Sequence, residues 1–147
     1  MNSSYGNSPS KAVCFGNGNE TVWTQATFYE ETVRKNYKIL LIISPRHIQR
    51  ANKISKINNL NIKIKSKDGL PSSKDNFWIS NTYGEMSSLY SLADIVFVGG
   101  SLYPYGGHNP SEPCHYETKI IMGPHSEKCQ EVVKEMKDNN CNNRCHK

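Results

Sequence analysis

Ile39-Leu40-Leu41-Ile42-Ile43 is an unbroken apolar run that ends at Pro45. A run this short without a polar residue predicts a strand buried on both faces, as in a parallel sheet; a strand with one wet face would alternate. Similar short segments recur at Phe77-Trp78-Ile79, Ile95 to Val98 and Lys119 to Met122. Between them the period changes to that of a helix. Residues Glu85 to Ala93 put Met86, Leu89, Tyr90 and Ala93 on one helical face. Ile48 to Ile57 predicts a helix, and Ser126 to Lys137 predicts the last one. Thr27 to Lys35 has helical character, with Glu30 and Glu31 near its start. Ile62-Lys63-Ile64-Lys65 alternates, as an exposed strand does, and residues 66 to 76 predict a polar loop holding Gly69 and Pro71. Strands alternating with helices imply an α/β fold with a doubly wound parallel sheet. Ligands of such sheets bind beyond the carboxyl ends of the strands.

The segment most suited to a ligand follows the strand at 95–98. Residues Gly99 to Pro113 read GGSLYPYGGHNPSEP. Glycines there let the backbone turn sharply and let a ligand approach main-chain N–H groups with no Cβ in the way. The run then predicts a helix over 109–117, with Asn109 as N-cap, Pro110 as the first helical residue and Glu112 reaching back as in a capping box. A strand, a glycine loop and a helix start in succession suit a polar, often phosphate-bearing ligand. The same residues also make a good helix start with no ligand at all.

Charge and cysteine content narrow the field. The net charge is +5, which favours anions in general. Most of it is scattered lysine with no arginine-rich stripe, so nucleic acid is not an expected partner. No segment approaches the ~20 apolar residues that span a bilayer, and the first residues lack the charged start and apolar core of a secretory signal. Cysteines stand at 14, 114, 129, 141 and 145. An odd, irregular set argues against a disulfide framework and fits a reducing compartment. Cys141, Cys145 and His146 lie in an asparagine-rich tail with no second cluster, so no metal site is expected. Residues 1–20 read as a flexible segment, 21–138 as the folded domain and 139–147 as a disordered tail.

GGSLYPYGGHNPSEP closely resembles the signature of the bacterial 3-deoxy-D-manno-octulosonic acid (Kdo) transferases. Ser44-Pro45-Arg46-His47, Thr82-Tyr83-Gly84-Glu85-Met86, Leu89 to Asp94 and Ile121-Met122-Gly123-Pro124-His125 match the same family in order and spacing. The resemblance covers roughly residues 20 to 135 and implies the C-terminal, donor-binding half of a GT-B glycosyltransferase, whose two domains are Rossmann-like. It implies CMP-Kdo as donor, a lipid A precursor as acceptor, no cofactor and no metal. It also implies a location at the cytoplasmic face of the inner membrane, reached only peripherally, with the isolated chain cytoplasmic.

Carried over residue by residue, the resemblance implies a CMP site in three patches: Pro45 and Arg46; Tyr83, Gly84 and Glu85; and Asn109, Pro110, Ser111 and Glu112. Arg46 would offer a planar, permanently charged fork to a phosphate, or else cap a strand end at the surface. Glu112 would accept from ribose hydroxyls, a role compatible with capping. His108 is open between donating to a phosphate and a structural role, and Ser101 and His125 carry no evident role. In the family the base that deprotonates the acceptor belongs to the N-terminal domain, so no catalytic residue is expected in this sequence, and the chain alone is expected to be inactive. Ala26 and Phe28 stand where the family has Ser and His, and Lys128-Cys129 where it has Asn-Phe. These departures leave two alternatives: an inactive remnant, or a stand-alone nucleotide-binding module.

Overall fold

The computed structural model describes residues 10–16, 39–56, 62–72, 74–116 and 118–139. Their strands are β1 (Ser10–Gly16), β2 (Ile39–Pro45), β3 (Lys63–Ile64), β4 (Phe77–Ile79), β5 (Ile95–Val98) and β6 (Lys119–Met122). The helices are α1 (Ala51–Ile54), α2 (Lys65–Asp68), α3 (Met86–Leu92) and α4 (Gln130–Asp138). The six strands form one sheet in the order β3-β4-β2-β1-β5-β6. Every pairing in it is parallel. The chain runs from β1 to β2, then out to the edge strand β3 and back to β4 between β3 and β2, and crosses to the other side of β1 for β5 and β6. That reversal between β1 and β5 is the place where doubly wound sheets hold ligands.

Burial explains the apolar runs. Along β2, Leu40, Leu41, Ile42 and Ile43 are all buried, so both faces of the strand are covered. Leu40 and Ile42 join one core with Trp78, Val96, Val98, Ile120 and Met122. Leu89 and Tyr90 of α3 and Val133 and Met136 of α4 close that core from above. Each such side chain removed from water contributes about 1.5–3 kcal/mol.

Several sequence expectations are corrected. Ser10–Gly16 form the strand at the centre of the sheet, paired with both β2 and β5, and so are not part of a flexible segment outside the domain. The helix expected over 48–57 is a 3-10 turn, Ile48–Arg50, followed by the short α1; neither has a side-chain cap or an acidic first turn. The 62–65 strand shrinks to β3, in which Ile64 is buried rather than exposed, as is Ile62 just before it. The loop expected from residue 66 begins with α2. The Asp68 carboxylate accepts the Ile64 N–H at 2.8 Å, and Gly69 ends the helix at φ 75°, a left-handed conformation that suits glycine.

The helix expected over 109–117 is only a 3-10 turn, Pro113–His115. Asn109 Oδ1 accepts the Ser111 N–H at 2.9 Å, but Glu112 makes no capping hydrogen bond. Pro113 has no N–H to close the first turn onto the Asn109 carbonyl, which stops an α-helix at its first bond. Cys114 is disulfide-bonded, whereas Cys129 is buried outside any disulfide, its Sγ 3.6 Å from His108 O. The helix expected at 27–35, the Ala26 and Phe28 positions, and Cys141, Cys145 and His146 lie outside the described residues.

Candidate functional site

Loops leaving the carboxyl ends of β2, β4 and β5 meet around a cleft of about 270 Å³. The first loop brings Pro45 and Arg46, the second Tyr83 and Gly84, and the third His108, Asn109 and Glu112. Ile48, Met86, Tyr90 and Val98 supply an apolar lining. A larger hollow of about 810 Å³ lies beside it, walled by the glycine loop and by Lys128. Arg46, His108 and Asn109 border both.

Of the residues predicted for the site, Pro45, Arg46, Tyr83, Gly84, Asn109 and Glu112 therefore share one cleft. Glu85, Pro110 and Ser111 do not line it. The Glu85 carboxylate pairs with Lys65 and accepts hydrogen bonds from Thr82 and, at 3.3 Å, from Ser80. It ties the β4 exit to α2. Pro110 is fully buried, and Ser111 is engaged through its N–H by Asn109. Gly84 takes φ 79°, the left-handed geometry that turns the chain into α3, and it leaves Tyr83 79% exposed at the rim.

The charges around the cleft fall into two classes. Among the described residues, no hydrogen bond or ion pair engages the Arg46 guanidinium, the Lys128 ammonium or the Glu112 carboxylate. Glu112 faces Tyr90, whose phenol is held well above its ordinary range by burial, then by the Glu112 charge and by Tyr116. His108 shares the larger hollow with Arg46 and Lys128. Its Nε2 is buried without a hydrogen-bond partner among the described residues. Burial, then the charges of Arg46 and Lys128, lower its pKa below the ordinary 6.5. The imidazole is therefore neutral near pH 7.

The glycine loop is held in shape by its own backbone and by Ser101. Gly107 N–H donates to Gly100 O at 2.9 Å and His108 N–H to Gly99 O at 3.0 Å. The fully buried Ser101 donates its hydroxyl to Val98 O at 2.7 Å and accepts the Gly123 N–H at 2.8 Å. Its carbonyl accepts the His125 N–H at 2.9 Å. Both motif residues without an evident role in the sequence thus join the β5 loop to the end of β6. A Cβ on Gly123 would fall 2.3 Å from Ser101 O, so only glycine fits there.

Sequence reasoning missed Ile48, Met86, Tyr90 and Lys128 as lining residues. Met86 and Tyr90 were legible as one helical face, but that face serves both the core and the cleft. The sequence marks Lys128 only as a departure from the family's Asn, with no role at the site. Among the described residues there is no cluster of His, Cys, Asp or Glu able to hold a metal.

Comparison with known proteins gives a consistent answer. No family model matches the chain. It is 38% identical over 108 residues to a bifunctional glycosyltransferase/methyltransferase of Fusobacterium nucleatum, covering 69% of this chain and 16% of that protein. It is 37% identical over 103 residues to the 3-deoxy-D-manno-octulosonic acid transferase of Rickettsia typhi, covering 68% of this chain and 22% of the relative. The transferase of Haemophilus influenzae is 29% identical over 127 residues, covering 77% and 30%. The chain thus spans 16–30% of the length of these curated relatives. A crystal structure of the C-terminal CMP-Kdo binding domain of WaaA from Acinetobacter baumannii superposes with a TM-score of 0.72 at 27% identity, over 89% of this chain and 70% of that one. Its sequence and its parallel sheet together place the chain in the Kdo transferase family, with the fold of that family's C-terminal domain.

Proposed function

We propose that this chain binds CMP-Kdo and serves as the donor half of an enzyme that transfers Kdo to a lipid A precursor during lipopolysaccharide synthesis. The observation that carries the reading is the meeting of an unpaired arginine and an unpaired glutamate around one cleft at the strand ends. A nucleoside monophosphate has matching chemistry at its two ends. Its phosphate accepts from Arg46, a charge-assisted contact, and its ribose hydroxyls donate to Glu112. Tyr83 lies over the rim, and the left-handed turn at Gly84 leaves main-chain groups open to the base. Asn109 borders the cleft through a loop fixed by its own Asx turn.

The chain's part in catalysis is to hold and orient the donor. Deprotonation of the acceptor hydroxyl requires a base within hydrogen-bond reach of that proton, and the family resemblance assigns that base to the other domain. No helix among the described residues is long and apolar enough to cross a membrane. The family resemblance sets this work at the cytoplasmic face of the inner membrane, reached peripherally.

The test is thermal unfolding of the purified chain with and without CMP. At a concentration 100-fold above its dissociation constant, a ligand specific to the folded state adds about 2.7 kcal/mol. For a chain of this size that raises the midpoint by roughly 5–10 °C. A midpoint unmoved by millimolar CMP, but raised by another nucleotide, overturns the reading.

A further inference from the structure

Lys128 is held along the glycine loop by its backbone and by its stem. Its backbone N–H donates to Gly106 O at 3.0 Å. Its aliphatic stem lies directly on Gly106, where an added Cβ would fall 2.4 Å from Cγ, 2.6 Å from Cδ and 2.9 Å from Cε. The missing side chain at 106 is thus what lets the lysine lie along the glycine loop, its stem on apolar surface and its ammonium free. Lys128 borders the larger hollow only, whereas Arg46 borders both spaces. The neighbouring carboxylate at the same hollow, Glu127, is taken up by His125 Nδ1 at 3.1 Å. Two separate cations therefore face the hollow. One stands at its junction with the nucleotide cleft and one borders the hollow alone, and the charges of both act on His108, which also borders both spaces.

A nucleotide alone brings one anionic group to this arrangement. A nucleotide-activated sugar acid brings two, the phosphodiester and the carboxylate of the sugar. We infer that Lys128 binds the carboxylate of the donor sugar, with the nucleoside in the smaller cleft, the phosphate at Arg46 and the sugar acid in the larger hollow. Lys128, which stands where the family carries Asn, is then a donor-binding residue particular to this chain that adds a positive charge to the sugar acid's carboxylate. The inference rests on the donor reading above and fixes the direction in which the donor lies.

The test compares CMP with CMP-Kdo by titration calorimetry on the full chain and on Lys128→Met. Methionine keeps a flexible stem over Gly106 and removes only the charge. The expected result is a loss of about tenfold in CMP-Kdo affinity, with CMP affinity unchanged within about twofold. Lys128→Arg should recover part of the loss. Equal weakening of both ligands would assign Lys128 to the phosphate, and no change in either would remove it from the site; both outcomes overturn the inference while leaving the donor reading intact. Failure of the unaltered chain to bind either ligand overturns the donor reading itself, and the inference with it. An unchanged unfolding midpoint in Lys128→Met separates lost binding from lost folding.

Discussion

Glu85 and Glu112 occupy comparable places, each on a loop at a strand end and each within a family-like motif, yet the structure treats them in opposite ways. Around the β4 exit, Glu85 is satisfied by Lys65, Thr82 and Ser80 and fastens one element to another. Around the β5 exit, the charged side-chain groups of Glu112, Arg46 and Lys128 make no hydrogen bond or ion pair to any described residue. The first region uses its charge to hold itself together. The second rests on backbone bonds and glycines and leaves its charges for a ligand. A polar group's partners, more than its motif, therefore decide whether it is structural or functional.

The largest expected effect sets a crowded glycine against an open one. Gly123→Ala drives a methyl into the Ser101 carbonyl and should cost about 3 kcal/mol of stability. Gly84→Ala meets nothing within 4 Å and should cost only the left-handed strain, about 1–2 kcal/mol. Urea unfolding of both variants checks the ranking; equal costs would mean that the glycine loop is no more tightly built than the turn. Next comes Arg46→Met, which should weaken CMP on the order of 30-fold while the melting midpoint stays put.

The glutamate pair gives the most direct comparison. Glu112→Gln should cost about tenfold in CMP affinity with little change in stability. Glu85→Gln should do the reverse, lowering stability by about 1 kcal/mol, since its partly exposed pair is screened by solvent, and sparing CMP within about twofold. Swapped outcomes would invert the assignment of the two regions.

The smallest effect concerns His108. Its folded pKa lies below the ordinary 6.5. As pH falls below about 6.5 the unfolded chain takes up a proton that the folded chain refuses, so folding stability declines until the folded pKa is reached. Melting midpoints measured from pH 8 down to 5.5 should drop less steeply in His108→Gln than in the unaltered chain.

Much of the sheet was legible because strands buried on both faces announce themselves as apolar runs, as at 39–43, 77–79 and 95–98. β1 was not. Ser10-Lys11-Ala12-Val13-Cys14-Phe15-Gly16 carries polar ends in a neighbourhood rich in Asn, Ser and Gly, and its central place is decided by pairing with residues about thirty and eighty positions away. At 109–117 the local helix-start signals were sound, but Pro113 removed the bond they needed. The fate of Glu85 depends on Lys65, twenty residues earlier, which no local pattern shows. Lys128 matters only because the chain folds it onto Gly106. Short-range chemistry was readable in the sequence; encounters between distant residues were not.

Ser101 has a consequence for how the pocket behaves over time. Because its hydroxyl and carbonyl join β5 to the residues after β6, the glycine loop cannot loosen without detaching the sheet's edge. The amides of Gly123 and His125 should then exchange their hydrogens with solvent slowly, at the pace of that edge opening rather than of a loop fluctuating. A wall so fastened arrives already shaped, so capture of a donor spends little on ordering the protein.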